Sequence, residues 1–409
     1  MPRTVSLSID AIAAGGDGVG RSDGLVVFVP RTAPGDVITA SVAGKGHFAR
    51  GSLRTIQAES ALRVTPPCPH YTRDRCGGCQ IQHIGYESQL AAKQRIITDA
   101  VARIGKRNIE MPPIVSSPGE WRYRTKLTLA LRRRGAGWIG GLHPYDDPAR
   151  VFALGDCPIT ERRVVSVWRE VLAASRFFPD APALRGSVRW TTDGATFILI
   201  GGTRWSQHAG FFAAVPSLVA LYWEPKEQPR QQLGERRNAA TPAASFAQVN
   251  PAMAELLGAY VLDRVLERMP ARVIDAYSGA GDLSVALSER GVIATAIELD
   301  ADAVRWAQQR LAPPSRAIHG RVEEKLLAAA PADVVVLNPP RGGLHEAVPS
   351  ALETDARAPT LVYVSCDPAT LARDIARLPS YQIASTQAFD MFPQTAHVET
   401  VCVLTLERP

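Results

Sequence analysis

The run Val362-Tyr-Val-Ser-Cys-Asp-Pro-Ala-Thr-Leu371 puts Cys366 just past the end of an apolar strand, with Pro368 suited to the first turn of a following helix. In an open α/β sheet, ligands bind at that carboxyl edge. The amino end of a helix also favours a thiolate. The competing reading is a buried, inert cysteine. Further along, Phe392-Pro-Gln-Thr-Ala-His-Val-Glu-Thr-Val401 supplies two proton acceptors, His397 and Glu399, or else a solvated turn before the last strand. A thiolate and a base together suit one demanding reaction. Carbon 5 of a uracil is a poor nucleophile until a thiolate adds at carbon 6; a base must then take the proton left on carbon 5 before the thiol departs.

A second group of residues could hold a cofactor. Val273-Ile-Asp-Ala-Tyr-Ser-Gly-Ala-Gly-Asp282 reads as a strand, a glycine-rich turn and a helix beginning near Leu283. Glycines there let the backbone approach a ligand closely. Glu298, at the end of the next strand, stands where a carboxylate would accept hydrogen bonds from both hydroxyls of a ribose. The longer glycine fingerprint of a dinucleotide site is missing, because Leu283 and Ser284 follow Asp282. An adenosyl ligand without a pyrophosphate fits better, and the order of elements resembles that of class I S-adenosylmethionine-dependent methyltransferases.

Cysteines form the third group. Cys68, Cys76 and Cys79 are spaced C-x7-C-x2-C, and Cys157 follows in GDCPIT. Four thiols so arranged can enclose a tetrahedral metal ion or a four-iron cluster. A redox CGGC dithiol is a third reading, which leaves Cys68 and Cys157 unexplained. Cys402, in VCVLTL, reads as core.

Three domains would position these groups. Residues 1–62 alternate short β runs with glycine turns, as a small β-barrel does. Residues 63–235 read as a mixed α/β domain carrying the cysteine loop, with a helix from about Tyr86 to Ile104 and strands in WRYRTKLTLALRRR and GWIGGLH. Glu224–Ser245 is polar, contains proline and has no period, so a linker is expected there. Residues 236–409 alternate strand and helix, which implies βαβ units and a mostly parallel, Rossmann-like sheet.

Several motifs carry a family resemblance. FAQVN (246–250), DAYSGAGDLS (275–284), NPPRGGL (338–344), SCDPATLARD (365–374) and FPQTAHVETV (392–401) resemble, in order, the RNA 5-methyluridine methyltransferase family. GGDGVGRSDGLVVFVPRTAPGDVI resembles the TRAM domain, an OB-like RNA-binding module, and the cysteine layout is similar to that of the family's iron-sulfur branch. The resemblance implies Cys366 as nucleophile and Glu399 as base, with His397 a structural neighbour. It implies Gln248, Tyr277, Glu298 and Asn338 at S-adenosylmethionine, and a [4Fe-4S] cluster on Cys68, Cys76, Cys79 and Cys157. The substrate implied is a uridine in structured RNA, ribosomal placed ahead of transfer RNA. The sequence departs from the family at Asn338, where an aspartate is usual, and at Ala276 and Ser278, where leucine and cysteine are frequent.

Two rival functions are weighed. Asn338-Pro-Pro resembles the motif of adenine amino-methyltransferases, but Arg341 replaces the aromatic that would stack on a base, and such an enzyme has no use for Cys366. A non-catalytic RNA chaperone or assembly factor would leave both Cys366 and Glu399 idle, while Asn338 speaks for it. Composition agrees with an RNA partner: the net charge is +6, and 101–134 holds nine basic residues against two acidic ones, with Trp121 and Tyr123 interleaved. Alternatively those aromatics face the core. With six cysteines in 409 residues, no secretory leader and no apolar run of bilayer length, a monomer in the reducing cytoplasm is expected, with no membrane partner.

Overall fold

The structure, a computed structural model, describes residues 3–43, 48–135, 137–236, 245 and 247–407. Strands β1 (Arg3–Ile12), β2 (Gly18–Ser22), β3 (Leu25–Val29), β4 (Val37–Ala43) and β5 (Phe48–Ala58) close into a barrel in the order β1-β2-β3-β5-β4. Strand β1 alternates as its sequence does: Val5, Leu7 and Ile9 fill the interior while Thr4, Ser6 and Ser8 face out. Asp36 ties the barrel to the next segment, accepting from Arg63 at 2.7 and 2.9 Å and from the amides of Ala33 and Ser60.

After the barrel come α1 (Pro69–Thr72), α2 (Tyr86–Arg103) and the two-residue strand β6 (Ile114–Val115). Then follow β7 (Lys126–Arg134), β8 (Gly137–Leu142), β9 (Phe152–Ala153), α3 (Arg162–Ala173), β10 (Ala183–Thr191), β11 (Gly194–Ile200), α4 (His208–Ala214), β12 (Leu218–Glu224) and β13 (Gln231–Glu235). These strands form one sheet, β13-β12-β11-β10-β7-β8-β9. Its apolar face packs Leu129, Val188 and Phe197 against Trp168 of α3 and Phe211 of α4. On the opposite face the register sets Lys126 beside Arg189, Thr128 beside Ser187 and Ala130 beside Arg185.

The last unit comprises α5 (Pro251–Leu266), β14 (Arg272–Ala276), α6 (Asp282–Ser288), β15 (Ile293–Glu298), α7 (Ala301–Arg310), β16 (Arg316–His319) and α8 (Val322–Ala329). It continues with β17 (Val334–Leu337), α9 (Ala347–Leu352), β18 (Thr360–Ser365), α10 (Pro368–Ala376), β19 (Tyr381–Phe389) and β20 (Glu399–Leu406). The sheet order is β16-β15-β14-β17-β18-β20-β19-β6. Strands β14 to β18 are parallel, as β-branched runs buried on both faces favour. Strand β20 then inserts antiparallel between β18 and β19.

Three details differ from the sequence reading. Part of the expected linker, Gln231–Glu235, is an edge strand, whose polar residues suit a sheet rim; 237–244 lie outside the described residues. Strand β19 was not anticipated. The segment 63–115, read as part of the central domain, sends α2 and β6 onto the C-terminal sheet, where Ile97 and Val101 meet Ala388 and Val398. Among the described residues no helix is long and apolar enough to cross a membrane.

Candidate active site

At the end of β14 the chain turns through Tyr277 (φ +62°), Gly279 (φ +56°) and Gly281 (φ +78°) into α6. A β-carbon on Gly281 would lie 2.6 Å from that of Ala307, so this turn requires glycine twice over, for its dihedral and for its packing. Glu298 holds the turn: its Oε2 accepts from the Gly279 amide at 2.9 Å, and its Oε1 accepts from the amides of Leu299 and Asp300 at 2.7 and 2.9 Å. Each carboxylate oxygen has more than one lone-pair direction, so acceptor capacity remains for a ligand hydroxyl. Beneath the turn, buried Asp275 accepts from the Ser284 hydroxyl at 2.7 Å, and burial pushes its carboxyl up to about 6.

Asn338 is exposed at the end of β17, its amide donating to Ala276 O at 3.2 Å, so Tyr277, Glu298 and Asn338 share the carboxyl edge of three neighbouring strands. Gln248 is half-buried in a segment bridging two sheets. Thr125 donates to Val249 O at 2.9 Å, Arg189 donates to Ala247 O at 3.0 Å, and Ser245 donates to Asp300 at 2.8 Å beside the glycine turn. Phe246, in the same motif, lies outside the described residues.

Sheet register brings the proposed nucleophile and base together. Strands β18 and β20 pair from Thr360 with Thr405 through Ser365 with Thr400, so the next positions in register are Cys366 and Glu399. Cys366 is half-buried at the start of α10, whose N-cap Asp367 accepts from the Thr370 amide at 2.9 Å. Whatever the helix start contributes, burial and then the charge of Glu399 push the thiol above its ordinary range, against an opposing pull from Arg341. Glu399 is buried, its Oε2 has no hydrogen-bond partner, and burial lifts its carboxyl to about 7, again opposed by Arg341. It therefore holds a proton loosely near neutral pH, as a general base requires. His397 is kept neutral by burial and by the charges of Arg341 and Lys93, and its ring meets Phe392 edge-on at 6.1 Å.

Through its charge Arg341 thus reaches both Cys366 and Glu399. Its loop is gripped by α10. Thr370 donates to Arg341 O at 3.2 Å, Arg373 to Gly342 O at 2.8 Å, and the Leu344 amide to buried Asp374 at 2.9 Å. Tyr363 of β18 donates to the same carboxylate at 2.8 Å. The motifs NPPRGGL and SCDPATLARD therefore form one interlocked unit, which their separation in the chain conceals.

The four sequence-predicted cysteines line one cavity of about 430 Å³, together with Arg124, Lys126, Arg185 and Arg341. None of the four is disulfide-bonded in the structure. Backbone bonds shape the loop: Cys76 N donates to His70 O at 2.9 Å and Gly77 N to His143 O at 2.9 Å. Cys157 reaches the others through a turn fixed by Asp156, which Arg122 grips at 2.6 and 2.8 Å. Among the described residues no three His, Cys, Asp or Glu side chains converge closely enough to hold a single metal ion.

The basic run is largely taken up by structure. Arg107 donates to Leu378 O at 2.7 Å, Arg122 is held by Asp156, and Arg133 pairs with Asp180 at 2.8 Å. Tyr123 is buried against Cys68, Cys79 and Ile159, and half-buried Trp121 packs on the same cluster. What reaches the cavity is Arg124 and Lys126, joined by Arg185 from β10. Burial, then the charges of Arg189, Arg230, Arg124 and Arg185, hold Lys126 below the ordinary ammonium range. Strand pairing makes this cluster, so no single stretch of sequence displays it.

The chain is similar to known proteins in sequence and in fold. A family model described as tRNA (Uracil-5-)-methyltransferase matches residues 316–408. A protein named as an RNA methyltransferase from Thermosynechococcus vestitus is 33% identical, the match covering 98% of this chain and 98% of its own. Another from Protochlamydia amoebophila is 30% identical, covering 96% and 95%. Among solved structures, the tRNA (uracil-54, C5)-methyltransferase of Pyrococcus abyssi, in complex with S-adenosyl-L-homocysteine, superposes with a TM-score of 0.71 at 22% identity, over 98% of this chain and 99% of that one.

Proposed function

This chain belongs to the S-adenosylmethionine-dependent RNA (uracil-5-)-methyltransferase family, and we propose that it methylates carbon 5 of a uridine in structured RNA through a transient bond from Cys366 to carbon 6. The reading is supported above all by the register that sets Cys366 against Glu399, with an unpartnered carboxylate oxygen in a buried position. The Cys366 sulfur adds to carbon 6, and the ring electrons gather on carbon 5. S-adenosylmethionine, when bound, would supply the electrophilic methyl group to that carbon from its sulfonium, the S–CH3 bond breaking to leave S-adenosylhomocysteine. Glu399 then takes the carbon 5 proton, the 5,6 double bond re-forms, and the thiolate leaves. The charge of Arg341 favours the charged forms of both groups and opposes, without cancelling, the burial that keeps the thiol protonated.

Tyr277, Glu298, Asn338 and Gln248 are the cofactor-binding residues in this reading. With a neutral amide at 338, the site both donates and accepts where an aspartate would only accept. Ribosomal RNA is the first candidate substrate and transfer RNA its competitor. The cations Arg124, Lys126, Arg185 and Arg341 line the same cavity as the four cysteines and add a positive potential that favours a polyanion near it.

Cys68, Cys76, Cys79 and Cys157 would hold a [4Fe-4S] cluster. A single zinc ion, with Zn–S bonds of about 2.3 Å, needs its ligands drawn tightly together. The four thiols line one cavity of about 430 Å³, as the ligands of a polynuclear group would. When bound, its role is to tie the loop to the neighbouring sheet, since the methyl transfer needs no electron. Anaerobic reconstitution should yield about four irons per chain.

Incubation with 5-fluorouridine RNA and S-adenosylmethionine tests the function. An enzyme of this class traps a covalent adduct that survives denaturation, because fluorine at carbon 5 cannot leave as a proton. An RNA chaperone traps none, and an adenine methyltransferase puts the label on a base nitrogen. Mapping 5-methyluridine in ribosomal and transfer RNA from a deletion strain identifies the substrate.

A further inference from the structure

A lysine with no solvent exposure lies on α2, far in sequence from any motif. Lys93 forms an ion pair with Asp390, and both side chains are completely buried. Its ammonium also donates to Phe392 O at 3.1 Å. Tyr86, two turns earlier on the same helix, donates to the other oxygen of Asp390 at 2.8 Å and accepts from the Ser117 amide at 2.9 Å. On the same helix face, Gln89 donates to the Gln394 side chain at 2.9 Å and accepts from the Gln394 amide at 3.0 Å. Two further bonds reach the loop from the cysteine-bearing segment: Tyr123 donates to Pro393 O at 3.0 Å, and the Ile81 amide donates to Gln394 O at 3.2 Å.

All of these contacts fall on 390–394, the loop that runs into β20 and delivers Glu399. Gln394 has a φ of +70°, a conformation an L residue holds only when its surroundings impose it. A buried charge pair is a poor source of net stability, because desolvation offsets the attraction. Its geometric definition is the more plausible reason for it here. We propose that Lys93, Asp390 and Gln89 are positioning residues that aim Glu399 at the proton on carbon 5, a role that rests on Glu399 being the base.

The proposal separates early steps from late ones. The addition and methyl-transfer steps use Cys366 at the start of α10, and although α2 packs against α10, Lys93, Asp390 and Gln89 make none of their bonds there. Proton removal uses Glu399. The full chain is given labelled S-adenosylmethionine and unmodified RNA from a deletion strain, and denaturation-stable labelled adduct and free product are followed over one turnover. Lys93→Met should form adduct within about threefold of the normal rate and release product about 100-fold more slowly, the cost of a misplaced group. Gln89→Leu, which leaves no charge unpaired, should show the same pattern at about tenfold. The proposal is overturned if these variants slow adduct formation and release in equal proportion, or change neither. Should Lys93→Met fail to fold, Gln89→Leu decides the matter. Glu399→Gln is the control: if it does not accumulate adduct, the base lies elsewhere and the functional reading fails, taking the clamp's role with it. If it does accumulate adduct while the Lys93 and Gln89 variants do not, only the clamp fails.

Discussion

The glycine turn after β14 and the loop that precedes β20 both serve the same edge of one sheet, yet they are built differently. The turn is held by Glu298, 19 residues from the Gly279 amide it accepts from. The loop is held by Lys93 and Gln89, which lie 297 and 305 residues from their partners. A locally held element keeps its shape when distant parts of the molecule change. The clamped loop inherits the integrity of everything between α2 and β19. The cofactor half should therefore tolerate damage that the proton-removing half does not.

The sharpest way to break that comparison is at Cys366, which sits between the two halves. Cys366→Ser should lose at least about four orders of magnitude in 5-methyluridine formation, the scale seen when a nucleophile is removed. Its affinity for S-adenosylmethionine, read by calorimetry, should stay within about twofold, because the turn shares no partner with the thiol. A large fall in affinity would mean that the halves are coupled.

Glu399 tests the other half through pH. Burial raises its carboxyl from the ordinary 4.5 to about 7. Between those values the folded chain binds the proton more firmly than the unfolded chain, so stability is full below about 4.5 and falls as pH rises through 7. Glu399→Gln abolishes this loss. By denaturant titration the variant should exceed the natural chain by about 3 kcal/mol at pH 8 and by under about 1 kcal/mol at pH 5. In the natural chain, turnover should rise with pH through about 7 as the base loses its proton. Equal stability at both pH values would show that solvent reaches the carboxylate.

Legibility in the sequence followed the same division. The strand, the turn and Glu298 could be read because the partners are neighbours in the chain, and Cys366 stood out through Pro368 and the apolar run before it. The pairing of Cys366 with Glu399 could not be read from spacing: it depends on β20 entering antiparallel beside β18, and only the family resemblance pointed to it. Strand β19 escaped because YQIASTQAF is half-exposed and lacks a clean alternation. Lys93 was invisible for a stronger reason. In an amphipathic helix a lysine reads as a solvent-facing residue, and its burial depends on a carboxylate at the far end of the chain. For Trp121 and Tyr123 the spacing left base stacking and core packing both open, because the cysteine loop they pack against is distant in the chain.

Glu298→Ala probes the local half and carries the smallest expected effect. The change frees the amides of Gly279, Leu299 and Asp300, while the Asp300 side chain still caps α7 through Asp302 N at 3.0 Å and still accepts from Ser245. The helix should therefore stay in place, and the loss should be confined to bonds made to a charged acceptor, weakening S-adenosylmethionine binding about 10- to 100-fold. At saturating cofactor the labelled adduct should form and release at normal rates, because neither Cys366 nor the clamp on 390–394 has changed. Glu298→Gln keeps one acceptor oxygen and should fall between the two. Delayed product release in Glu298→Ala, of the kind expected for Lys93→Met, would show that the turn and the loop move as one body, and the division between a locally held and a remotely held half would have to be abandoned.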